Sequence, residues 1–220
     1  MSDVLSSRKT LLSFWIPIVF LLGCASGYLF NSKFCSVTVS DRVNSGMNVY
    51  FTFRKLWAEH VIWTHRYLES DLNDNPKTSL VAQRLIRNQE DLGAAIGTYY
   101  GKATGDLVAT LVKEHMFIAM DMLTARRLKN EPHIEELEIK QYKNADDIAT
   151  ALSELNPTWH FDTIKKLMYE HLDFTGKEVM AILQNDMQTT IQLFDQEFDA
   201  ILELGVQMAQ GIIKQFPAKI

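Results

Sequence analysis

The chain has only two cysteines, five prolines and ten glycines in 220 residues. Cys24 and Cys35 cannot supply a disulfide framework or a zinc-finger ligand set. So few turn-formers leave little room for the connections of a β-sandwich. No excess of positive charge exists either: 22 Lys and Arg face 27 Asp and Glu, a net charge of −5. That balance speaks against a nucleic-acid partner, which would need clustered cations to neutralise phosphates. Also missing are a Gly-rich phosphate loop, a Gly-x-Ser-x-Gly elbow and the Glu-x-x-His signature of di-iron bundles. What remains is 47% hydrophobic and 22% charged, enough chain and enough apolar surface for a folded core.

Charge is absent from Thr10 to Ser32, and Leu11–Phe30 is mostly apolar. A bilayer-spanning helix needs roughly 20 such residues. Trp15 and Tyr28 lie toward the two ends, where interfacial aromatics belong, and Pro17 sits in the first turns. The expectation is an N-terminal tail (1–10), a transmembrane helix (11–30), a polar tether (31–46) and a helical bundle domain (47–220). Two other readings of the segment stay open: a signal peptide cleaved at Gly23-Cys24-Ala25, or a lipobox at Leu21-Leu22-Gly23-Cys24. Anchoring makes the lipid bilayer a partner. Arg8 and Lys9 on one flank against Lys33 and Arg42 on the other lean toward a cytoplasmic N-terminus. The domain is then a single-pass membrane protein's non-cytoplasmic part, with a homo-oligomer or another membrane protein as further partner. Cys35, close to the membrane, reads as a free thiol or an intermolecular disulfide.

Beyond Gly46 apolar residues recur at intervals of three and four, the stripe of amphipathic helices in a bundle. Val49, Phe53, Leu56, Trp63 and Tyr67 form one stripe, and Val108, Leu111, Ile118 and Met122 another. A third reads Ile191, Phe198, Leu202, Ala209 and Ile213. Breaks at Asn75-Pro76, Tyr100-Gly101, Glu131-Pro132, Asn156-Pro157, Asn185-Asp186 and Phe216-Pro217 divide the body into six helices. The fold class is all-α. Four long helices are expected near Met47–Ser70, Thr104–Lys129, Asp162–Gln184 and Thr189–Gln215, and two shorter ones near Ser79–Tyr100 and Ile134–Leu155. Short connections imply antiparallel neighbours.

The body also repeats. Leu56-x-x-Glu59-His60-x-x-Trp63 recurs as Leu111-x-x-Glu114-His115-x-x-Ile118 and as Leu167-x-x-Glu170-His171-x-x-Phe174. Asn88 to Ile96 matches Asn144 to Leu152 at an offset of 56 (88 to 144), shared by the histidines (115 to 171). One offset over two separate motifs indicates a duplicated helical hairpin. LWAEHVIWT, NQEDLGAAIGTYYG, LVKEHMFIA, NADDIATALSELNP, LMYEHLDFT and GIIKQFP resemble an uncharacterised family of small, soluble bacterial helical proteins, from Leu56 to about Pro217. The resemblance implies an all-helical fold and carries over no established activity. Some members bear a glycosyltransferase label, whereas an all-helical pattern offers no nucleotide-sugar fold. The N-terminal apolar segment departs from that family.

His60, His115 and His171 each occupy a stripe position. Asn88, Asn144, Glu178 and Asp195 share that placement, so all six helices present a polar group to the interior. Two readings follow. One is a metal centre, since imidazoles and carboxylates converging in a bundle core bind iron, manganese or zinc. Its expected ligands are His60, His115 and His171, with Asp195 or Glu178 closing the set. The other is a metal-free buried hydrogen-bond network in a membrane-tethered scaffold protein. Glu59, Glu114 and Glu170 are rotated about 100° from the adjacent histidines and would orient ligands or pair between helices. Asn88 with Asp91, and Asn144 with Asp147, could alternatively be helix-start caps. His65, His133 and His160 are expected at the surface or at caps, and Met116–Met122 as core filling.

Overall fold

The computed structural model describes residues 39–220. Six α-helices follow one another: α1 Val39–Leu72, α2 Thr78–Tyr100, α3 Lys102–Arg127, α4 Glu131–Leu155, α5 Phe161–Leu183 and α6 Met187–Gln215. No strand occurs among the described residues. The membrane segment expected at 11–30 lies outside them. None of the described helices is long and apolar enough to cross a bilayer. Two expectations are corrected. Helix α1 begins inside the stretch taken as a tether, and Gly46 is a helical residue against Ile213 and Ile220. The division into four long and two shorter helices also fails: α5 has 23 residues, as many as α2, and α4 has 25. Length is set by where the caps fall, and the apolar stripe gives only an approximate end.

The helices form three hairpins, α1–α2, α3–α4 and α5–α6, that share one construction. Each first helix ends on a left-handed residue: Asp74 (φ 50°), Lys129 (φ 51°) and Asn185 (φ 56°). The amide of the next residue then reaches back five positions: Asn75 N to Ser70 O at 2.9 Å, Asn130 N to Ala125 O at 3.0 Å, Asp186 N to Ala181 O at 2.9 Å. These bonds satisfy carbonyls that every helix end orphans. The side chains of Asn130 and Asp186 go on to cap α4 and α6, accepting from His133 N and Thr189 N. The turns recur at 75, 130 and 186, intervals of 55 and 56 residues matching those of the histidines.

Hairpins join without slack. Gly101 (φ +91°) is the sole residue between α2 and α3, in a conformation open to glycine alone. Beyond it the two helices touch through backbone: a Cβ on Gly93 would sit 2.5 Å from Ala109 Cβ, and one on Gly105 2.8 Å from Gly97 Cα. Between α4 and α5 the indole of Trp159, 2% exposed, donates to Gln207 O at 3.2 Å and ties the link onto α6.

Helices α1, α3 and α5 run parallel, since numbering rises together across their contacts (His60 with His171, His65 with Glu178, His115 with His171). Leu68, Leu123 and Val179, each eight residues past a repeat histidine, pack as one cluster. The odd helices are therefore related by an approximate threefold, which sets equivalent residues at one level.

Candidate metal centre

Threefold placement brings the three repeat imidazoles together in the core, at 3%, 3% and 2% exposure for His60, His115 and His171. His60 Nε2 lies 3.4 Å from His171 Nε2. The ring centroids of His115 and His171 are 5.6 Å apart. The outer nitrogen of each ring meets a buried group from the second helix of the same hairpin. His115 Nδ1 is 3.0 Å from Asn144 Oδ1, and Asn144 Nδ2 donates to Leu111 O at 3.1 Å. That second bond fixes which amide atom faces the ring, so His115 carries its proton on Nδ1 and keeps a lone pair on Nε2. In the first hairpin two residues divide the task. Asn88 Nδ2 donates to Leu56 O at 3.0 Å, and Gln89 Nε2 lies 3.1 Å from His60 Nδ1. Asn88 and Asn144 are thus mid-helix seam residues, and the alternative that they cap helix starts is set aside.

The third hairpin differs. Gln89 and Asn144 each stand 29 positions past their histidine, where α6 has Ala200. Glu197, almost one turn earlier and 1% exposed, places Oε1 2.8 Å from His171 Nδ1, an approach too oblique for a well-formed hydrogen bond. Thr175 Oγ1 also donates to Glu197 Oε1, at 3.0 Å.

Asp195 is corrected: it is exposed on α6 and takes no part in the centre. The buried face of α6 runs through Thr190, Glu197, Ile201, Leu204 and Met208. Ile191, 54% exposed, had suggested a stripe rotated toward the flank. Glu178 is buried at 0% exposure, but lies two turns beyond His171 and meets His65 Nδ1 instead. His65, expected at the surface, is half-buried between Glu178 and Glu69 (3.5 Å). Burial pulls its pKa down, yet the hydrogen bond and charge of Glu178 outweigh that and hold it above the ordinary histidine value. Burial pushes the Glu178 carboxyl up, and the neighbouring Glu197 charge adds to the rise. His133 pairs with Asp121 and Glu136, while His160 is exposed at the start of α5. Of the glutamates beside the repeat histidines, Glu59 bridges to Arg84 on α2 at 3.0 Å, while Glu170 pairs only with Lys166 one turn away and Glu114 is exposed.

Electrostatics keep His60 and His115 uncharged. Burial drives the His60 pKa well below its ordinary value, with repulsion from His171 and His115 adding to it. The same two causes, burial first and then His171, push His115 down to about 3. Neutral imidazoles are the protonation state a metal ion requires. Among the described residues, no three or more His, Cys, Asp or Glu side chains already form a ligand set. Compared with protein-family models, curated proteins and solved structures, the chain matches none of them.

Proposed function

We propose that the protein is a membrane-anchored helical bundle that binds one transition metal ion, iron, manganese or zinc, through His60, His115 and His171. The observation that carries the reading is the 3.4 Å separation of His60 Nε2 and His171 Nε2. Two nitrogens about 2.0–2.1 Å from a tetrahedral ion stand about 3.3–3.4 Å apart. Support comes from Asn144 Oδ1 on the Nδ1 proton of His115, since ligating histidines characteristically donate their other ring N–H to a held acceptor. The anchor rests on Leu11–Phe30, and membership of the small bacterial helical family on the motifs quoted above.

One observation favours the metal-free network. With the Gln89 amide nitrogen toward His60 Nδ1, His60 bears its proton on Nε2 and donates it to His171. A bound ion needs that lone pair, so the Gln89 amide must turn over. Gln89 Oε1, buried without a partner, would then accept from His60 Nδ1. Turning sacrifices the bonds from Gln89 Nε2 to Leu85 O and Asn88 Oδ1.

Elemental analysis of the untagged full-length chain decides between them. About one ion per chain is expected, with cobalt substitution giving the intense visible bands of a tetrahedral site. His115→Ala should lose the ion and keep its helical circular dichroism. A folded wild-type chain without metal, and unable to take up cobalt, would leave the polar network as the answer.

A further inference from the structure

A cavity of about 560 Å³ lies beside the imidazoles, with His115 and His171 in its wall. Its origin is in the repeat. One turn past each histidine the odd helices carry Thr64, Ala119 and Thr175, all small and all lining the cavity, while Leu68, Leu123 and Val179 line it one turn further on. Gly176 also lines it. A Cβ there would meet nothing within 4 Å, whereas Gly93 and Gly105 are held bare by touching backbone. A glycine inside a helix costs stability relative to alanine, and here its effect is open space. The volume falls in the range of small-molecule pockets.

Besides His171 Nδ1, which has only its oblique contact to Glu197, two polar groups in this wall lack partners. The Thr64 hydroxyl, on a residue 4% exposed, has no hydrogen bond among the described residues. His115, engaged at Nδ1, keeps its Nε2 lone pair. The remaining wall is mixed: Met116, Met120 and Met122 from α3 and Leu172 from α5 give it an apolar stretch, and Arg126, Glu138, Asp173, Lys177 and Asp186 line it with charges of both signs.

We propose that this cavity binds a compact, uncharged, largely apolar molecule bearing one hydroxyl group, of the phenol or short-chain alcohol class. The hydroxyl donates to His115 Nε2 and accepts from the Thr64 hydroxyl. A single O–H meets both needs at once, which neither a hydrocarbon nor a carboxylate does. Methionine side chains adapt to the apolar body, as they do at other permissive binding surfaces. The pocket stands without the metal ion, so it is tested on metal-stripped protein, separately from the metal reading.

The test uses the full-length chain in lipid nanodiscs, treated with chelator and labelled with ¹³C at the methionine methyls. The probe is 4-propylphenol, with propylbenzene as the hydroxyl-free control. Saturable shifts are expected at Met116, Met120 and Met122, with Met168 and Met208 unmoved. Gly176→Leu should weaken binding by about tenfold or more by filling the space, and Gly176→Ala by less than about threefold. Thr64→Val should weaken the phenol by about fivefold and leave propylbenzene unchanged, as expected for one lost hydrogen bond. Unsaturable shifts spread over all methyls, or a folded Gly176→Leu variant that binds as wild type, would overturn the proposal. If Gly176→Leu unfolds, the Thr64→Val comparison decides: equal weakening of both probes, or of neither, also overturns it.

Discussion

At the scale of single residues, the centre depends on amides more than on charges. Asn144 satisfies two buried groups simultaneously, the Nδ1 proton of His115 and the Leu111 carbonyl. Removing it strands the Nδ1 proton, while Leu111 O keeps its helical bond, and one unsatisfied buried group costs about 1–3 kcal/mol. Asn144→Ala is therefore expected to lose about 1–3 kcal/mol in urea unfolding, where Asp147→Ala, a neighbour paired with Lys143 at the surface, changes little. The histidines add a pH dependence in the metal-free protein. Folded His115 titrates at about 3 and folded His60 well below its ordinary value, while both take a proton near 6.5 once unfolded. Between those limits the unfolded chain binds more protons, so stability falls as pH drops below about 6.5, by about 1.4 kcal/mol per pH unit for each such imidazole. His65 works in the opposite sense. Its folded value is raised, so its contribution is present below 6.5 and lost as pH rises through that folded value. Urea midpoints from pH 7 to pH 4 should fall steeply, and His115→Gln should make the fall shallower by one imidazole's share. An unchanged slope would mean that His115 already accepts a proton in the folded core.

At the scale of elements, the hairpin turns and the α2–α3 seam fix the geometry. A methyl group on Gly105 would drive into the Gly97 backbone, which cannot move aside as a side chain can. Gly105→Ala should cost about 3 kcal/mol, at the upper end for overpacking. Gly97→Ala meets its nearest neighbours at 3.6 and 3.7 Å, ordinary contact, and should be neutral or stabilising by up to about 1 kcal/mol. Thermal melts of the two variants check this, and similar losses in both would place the close approach elsewhere. Element order and all six breaks were legible in the sequence, because Asn-Pro, Tyr-Gly and Asn-Asp pairs cannot continue a helix comfortably whatever surrounds them. The phase of α6 was not. Ile191 and Met187 are apolar yet exposed, and a stripe counted from Ile191 selects Asp195 over Glu197.

At the scale of the whole molecule, three hairpins with recurring histidine and cap positions give one chain an approximate threefold, and that alone brings residues 60, 115 and 171 to one level of the core. Where this domain resides is a question for the first forty residues. If Leu11–Phe30 is an uncleaved anchor, the full chain should sediment with membranes and resist carbonate extraction. A mature N-terminus at Ala25 or Ser26 would instead identify a cleaved signal, and a lipidated Cys24 a lipoprotein. Mass spectrometry of the membrane-derived protein distinguishes the three.

What the sequence determined by itself is local or periodic. Helix class, the breaks, the repeat and the inward placement of three histidines each follow from spacing along the chain, which a helix converts directly into a face. Tertiary structure decided everything that depends on two segments meeting. It made Gln89 and Asn144 the partners of His60 and His115, replaced Asp195 by Glu197, drew Glu178 away to His65, and left a cavity where Thr64, Ala119 and Thr175 are too small to meet. Those outcomes turn on rotations of about 100° per residue and on side-chain lengths summed across a shared core. A stripe of apolar letters fixes the first only to within a residue, and it does not contain the second at all.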